Sequence, residues 1–166
     1  MLLKENLINY FSDGEKKEEN WKIGTEHEKF LFNLETKKPI DFSEKGIKGI
    51  FNILKQNSWI EIKENDNVIG LKKDNLSITL EPGLQIELSG APCRNIHETC
   101  KEVNLYLKEL KQACSKFNIG VIGIGLIPNT KFVDINQLEK KRYTIMRNYM
   151  TSVGSLGLDM MHRTAA

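Results

Sequence analysis

Four glutamates fall in two short stretches, Gly24-Thr25-Glu26-His27-Glu28 and Glu81-Pro82-Gly83-Leu84-Gln85-Ile86-Glu87. Within each stretch the acids are an even number of residues apart. On a strand, Glu26 and Glu28 then share one face, and Glu81, Gln85 and Glu87 can share another, while His27 points the opposite way. Carboxylates two apart along a strand stand about 6.5–7 Å apart. That is wide for one small ion held by two monodentate oxygens, and it suits two ions or one ion with its water shell. Acids gathered on sheet faces repel unless a cation lies between them, and Mg2+ with nucleotide phosphates is the most economical candidate.

An exposed polar strand face is the competing reading of Glu26 and Glu28, and spacing alone leaves the two level. Glutamate is depleted in strands, and Ile23, Phe30 and Phe32 on either side argue for burial. Pro82-Gly83 breaks the second stretch, which alone reads as a hairpin turn with exposed acids. Gly83 lets backbone approach a ligand closely, and a bend there can swing Glu81 and Glu87 toward a common centre. Two such stretches together favour an acidic site that requires a cation.

A second group is basic and aromatic: Arg142, Tyr143, Arg147, Tyr149 and Arg163. Arginine grips carboxylate or phosphate with two parallel hydrogen bonds and stabilises a transferring phosphoryl group. The same residues also fit a solvated helix face with ordinary salt bridges, which spacing alone prefers. His97 and His162 are isolated and read as surface or core histidines.

These groups need elements to hold them. Leu3, Leu7, Ile8 and Phe11 mark one face of a helix over 2–11, and a charged loop over 13–20 follows. Residues 21–33 read as a strand around the first two glutamates. Ser43 is placed to cap a helix running to about Trp59, with Ile47, Ile50, Phe51 and Leu54 buried. Four short strands are expected at 60–63, 68–72, 76–81 and 85–89, separated by Asn/Asp turns. They form a meander, which pairs antiparallel.

Asn95 and Glu98 suggest a capping box. It opens a helix whose core stripe is Ile96, Cys100, Val103, Leu107, Leu110, Cys114 and Phe117, so Cys100 and Cys114 read as buried small apolar groups. The glycine-rich run 119–128 reads as a buried strand with close backbone packing, since its spacing matches no phosphate loop. Residues 140–153 read as a short helix and 156–166 as the beginning of a further strand.

The chain has 166 residues, enough for one domain, 1–166, with a real core. A net charge of +2, with both signs mixed, gives no pull toward nucleic acid. No apolar run is long enough to span a membrane, and the charged residues 1–20 do not read as a signal peptide. Cys93, Cys100 and Cys114 form no CxxC pair and are odd in number, which argues against zinc or a disulfide framework. Cysteine usage of this kind suggests a reducing cytoplasm.

Four motifs in order resemble glutamate–cysteine ligase of the type found in plants and many Proteobacteria. They are Trp-Lys-Ile-Gly-Thr-Glu-His-Glu-Lys-Phe (21–30), Leu-Glu-Pro-Gly-Leu-Gln-Ile-Glu-Leu-Ser-Gly-Ala-Pro (80–92), Arg-Tyr-Thr-Ile-Met-Arg-Asn-Tyr-Met (142–150) and Gly-Ser-Leu-Gly-Leu-Asp-Met-Met-His-Arg-Thr (154–164). The resemblance implies an α+β, glutamine-synthetase-like catalytic fold: a curved, mainly antiparallel sheet with helices packed on one side. It implies that ATP and Mg2+ are used to phosphorylate the γ-carboxylate of glutamate. The amine of cysteine then displaces phosphate, giving γ-glutamylcysteine, the first step of glutathione biosynthesis. The implied partners are therefore the small molecules glutamate, cysteine and ATP.

Carried onto this sequence, the resemblance makes Glu26, Glu28, Glu81 and Glu87 the Mg2+ ligands. It places Glu26, Glu28 and Arg147 in catalysis, and Arg142, Tyr143, Arg163 and Gln85 beside the substrates. Leu84 stands where the family usually has a second glycine, so a stiffer bend is expected. Family members are considerably longer, so the chain is expected to be the N-terminal portion of a ligase, incomplete at its C-terminus and ending within a strand with an open sheet edge. A ligase for another amine, and a non-catalytic module using the same acidic face, are the alternative functions.

Overall fold

A computed structural model describes residues 2–128 and 130–165. Its centre is the predicted meander: β2 (Ile60–Glu64), β3 (Asn67–Lys73), β4 (Leu76–Leu80) and β5 (Ile86–Ser89). Asn65 and Asp74 make the first two reversals with φ of +54° and +52°. Short polar side chains of this kind tolerate the left-handed region. β1 (Glu26–Asn33) then pairs with β5, and β6 (Ile119–Ile122) with β1, giving an antiparallel sheet of order β2-β3-β4-β5-β1-β6.

Alternation divides the sheet into two faces. One carries Leu71, Ile78, Leu80, Ile86, Leu88 and Leu31. Against it pack α2 (Ile47–Lys55), through Ile47, Ile50, Phe51 and Leu54, and α3 (Ile96–Ser115), through Tyr106, Leu110 and Cys114. The other face carries Glu28, Glu87 and Thr79, which lie in register across three adjacent strands. The fold is α+β, as expected.

Several boundaries differ from the sequence reading. β1 begins at Glu26, and residues 21–25 contribute only an isolated bridge, Ile23 to Cys93. α2 begins at Ile47, because the Ser43 carbonyl accepts from Gly46 N and Lys48 N and so closes a turn before the helix. On α3 the Asn95 side chain caps His97 N and Glu98 N, but Glu98 reaches Arg94 N, so the reciprocal arm of the box is displaced by one residue. Ile96 and Cys100 are exposed, because the first turns of α3 run past the core; Cys114 is buried as expected.

β6 is a short edge strand in which Ile119 alone is buried, and Gly120 lies against the Phe32 ring. α1 (Lys4–Ser12) forms, but Leu3, Leu7, Ile8 and Phe11 are all exposed.

The main correction is at 156–166. Gly157–Arg163 is a helix, α5, and Thr164 makes an isolated bridge to Leu126. Leu158, Met160 and Met161 are good helix formers and no β-branched residue lies in the segment. Asp159 occupies the first turn and His162 and Arg163 the last, matching the helix dipole, and Asp159 pairs with Arg163 at 3.3 Å. The second part of that expectation, at Ala166, lies outside the described residues. α4 (Lys141–Val153) and α5 gather around the Glu81–Gln85 hairpin: Leu138 N donates to Pro82 O, the Tyr143 hydroxyl to Leu80 O, and Gln85 Nε2 to Thr164 O.

Candidate active site

The register of β1 on β5 places Glu28 directly opposite Glu87. Glu81, just past the end of β4, is carried back over them by the hairpin. Leu84 N donates to Glu81 O and Glu81 N to Gln85 O, both at 2.9 Å. As a result, carboxylate oxygens of Glu28, Glu81 and Glu87 lie within 4.8 Å of one another. The two acidic stretches, expected on separate faces, therefore share one face of one sheet. Glu26 lies on the same face one step further along β1, opposite Ser89, and is exposed outside the three-carboxylate group.

Neighbouring groups hold Glu81 and Glu87 in place. Glu87 is buried and accepts from Thr79 Oγ1 at 3.1 Å and Ser89 Oγ at 2.9 Å. Glu81 is half-buried, and its pKa is pushed up from 4.5 to about 7. Desolvation is the largest cause, followed by its hydrogen bond with Glu87 and the negative charges of Glu87 and Glu28; the Tyr143 hydroxyl opposes these. That opposition is weak because Tyr143 has one proton for two acceptors, with Leu80 O at 2.9 Å nearer than Glu81 Oε1 at 3.3 Å. Three carboxylates this close repel one another unless a proton or a cation lies between them, and an all-oxygen donor set of this kind fits a divalent metal.

Glu28 and Glu81 open into a cavity of about 330 Å³ whose further walls include Pro82, Gln85, Met146, Met150, Met161 and Thr164. Its lining combines carboxylates with flexible, polarisable thioethers. The sequence reading missed the methionines, although two of them, Met146 and Met150, lie four apart on the predicted helix.

The basic group is not drawn into the cavity. Arg142 is exposed, with its guanidinium 5.9 Å from the Tyr143 ring centroid. Arg147 donates to Leu138 O at 3.5 Å and Thr144 Oγ1 at 3.2 Å. Arg163 pairs with Asp159, and its Nε is buried with no partner among the described residues. Tyr149 is exposed. Tyr143 is buried, and its hydroxyl touches the acidic group rather than open cavity. Gln85 is 1% exposed, with its amide engaged at both ends.

Comparison with known sequences bears out the family resemblance. The model of glutamate-cysteine ligase family 2 matches residues 22–166. The chain belongs to that family. It is 51% identical over 164 residues to glutamate–cysteine ligase A, chloroplastic, of Oryza sativa subsp. japonica, covering 98% of this chain and 33% of that protein. Identity to the chloroplastic enzyme of Nicotiana tabacum is 48%, and to that of Arabidopsis thaliana 46%, each over 98% of this chain and 31% of the relative.

The family member described here thus spans about a third of the length of these relatives. The relatives' names overturn the cytoplasmic expectation, since they are called chloroplastic. Free thiols report a redox condition, not an organelle, so a cytoplasm never followed from the cysteines. No helix among the described residues is long and apolar enough to cross a membrane. Leu84 sits at φ +62°, in the left-handed region that glycine enters without cost.

Proposed function

We propose that this chain supplies the acidic half of an ATP- and Mg2+-dependent ligase site that joins the glutamate γ-carboxylate to the amine of cysteine through γ-glutamyl phosphate. The convergence of Glu28, Glu81 and Glu87 within 4.8 Å carries the reading. These three would hold Mg2+, with Glu26 within reach of a second ion or its water shell. Bound there, the metal would neutralise phosphate oxygens and align the carboxylate with the transferring phosphorus.

The chain's own residues do the rest. Thr79 and Ser89 fix the orientation of Glu87, and Tyr143 and the hairpin fix Glu81. Positioning of this kind is the main catalytic requirement of phosphoryl transfer. The wall of Met146, Met150 and Met161 offers water no strong hydrogen-bonding partner, which would disfavour water beside an acyl phosphate. Arg142, Arg147 and Arg163 lie outside the cavity lining, so each would need to swing inward to meet an anionic group there.

A chimera tests this. The matching third of the rice enzyme is replaced by this chain, and product is followed by mass spectrometry with Mg-ATP, glutamate and a panel of amines. γ-Glutamylcysteine formation that is lost in Glu28→Gln supports the reading. Product with other amines but not cysteine would move the chain to a related ligase. Mn2+ binding by the chain, with no product from a folded chimera, would leave a binding module.

A further inference from the structure

Gln85 is a long polar side chain almost without solvent contact, at the junction of the acidic hairpin and α5. Its Oε1 accepts from Gly83 N at 2.8 Å, and its Nε2 donates to Thr164 O at 2.7 Å. One amide therefore ties the hairpin turn to the C-terminal end of a helix 79 residues away in sequence. Both partners are backbone groups, so the tie depends on no other side chain.

The two pieces it joins are closely fitted. A Cβ on Gly83 would collide with His162 O. His162 is wholly buried, with Nδ1 2.8 Å from Leu158 O and its ring edge-on to Phe132 at 5.1 Å. The hairpin carries Glu81, and α5 carries Met161 and Thr164 of the cavity wall. A shift at this joint moves an acid and a wall together.

We infer that Gln85 is a positioning residue that locks the Glu81–Leu84 turn onto α5 and so sets where Glu81 stands relative to Glu28 and Glu87. The assignment rests on the cation-binding reading of those three acids. It differs from a substrate contact, because both ends of the amide are already engaged within the protein.

The test is Mn2+ titration of the 166-residue chain, read by electron paramagnetic resonance, in wild type, Gln85→Met and Gln85→Leu. Both variants fill the volume and remove the amide. Gly83→Ala attacks the same joint from the other side, so the test survives if the Gln85 variants fail to fold. Circular dichroism and cooperative melting establish which are folded. Residues that orient metal ligands typically contribute 10–100-fold to affinity, so folded variants should bind Mn2+ at least about tenfold more weakly. A purely structural role would lower the melting temperature and leave Mn2+ affinity within twofold, which overturns the inference alone. Absence of Mn2+ binding in wild type overturns the cation site and the inference with it.

Discussion

Glu28 and Glu87 face each other across the β1–β5 ladder, two acids on adjacent strands with Glu81 folded back over them. Like charges directly opposite on a sheet are destabilising by up to about 1 kcal/mol. Without metal, Glu87→Gln should therefore stabilise the chain, raising the melting temperature by roughly 2–4 °C. With Mg2+ present the sign reverses, because wild type gains stability from binding and the variant gains far less. Melting curves with and without Mg2+ check both halves, and a variant that is destabilised without metal would contradict the repulsion.

The Glu81 carboxyl predicts a pH dependence. Its folded pKa of about 7 lies above the ordinary value of 4.5, so the folded state binds the proton more tightly. Below pH 4.5 both states are protonated and nothing is lost. Between pH 4.5 and 7 the unfolded chain sheds its proton first, and metal-free stability falls as pH rises. With solvent screening of a half-buried group, the loss is roughly 1–2 kcal/mol. Mg2+ should restore stability at pH 8 and do little at pH 5, where it competes with the proton. Denaturant midpoints at the two pH values, with and without Mg2+, check this, and Glu81→Gln should flatten the metal-free dependence.

Leu84 sets strain against packing. It occupies the left-handed region at φ +62° yet is 4% exposed in the main core. Glycine there would remove strain of about 1–2 kcal/mol. It would also remove a buried leucine, at a cost of about 2–5 kcal/mol. Leu84→Gly should therefore be net destabilising by a few kcal/mol, read as a lower urea midpoint. A neutral or stabilising result would mean that strain outweighs burial.

The sheet was legible because its signals are local. Asn65 and Asp74 announce the reversals, and Ile78, Leu80, Ile86 and Leu88 alternate between them. The sharing of one face by Glu28 and Glu87 was not legible, because it depends on the long-range β1–β5 register. Residues 156–163 misled because Leu156, Leu158 and Met160 alternate at period two, as in a strand, while helix propensity and the Asp159–Arg163 pair decide otherwise. The apolar face of α1 was legible as a pattern, but whether it is covered depends on a neighbour that the pattern does not name. The methionine wall comes from two helices, so only their packing reveals it.

Tyr143 separates the acidic group's geometry from its protonation. Its hydroxyl opposes the upward push on Glu81, while Leu80 O is the nearer acceptor. Tyr143→Phe leaves that carbonyl without this donor and removes a hydrogen bond that favours the charged form of Glu81, so the Glu81 pKa should rise further. Divalent cations compete with that proton, so Mn2+ affinity at pH 6.5 should fall several-fold. At pH 8.5 most of Glu81 is ionised in both proteins, and the difference should narrow. Equal weakening at both pH values would mean that Tyr143 acts through the position of the hairpin alone, and no change at either would mean that the 3.3 Å contact has no influence on the site.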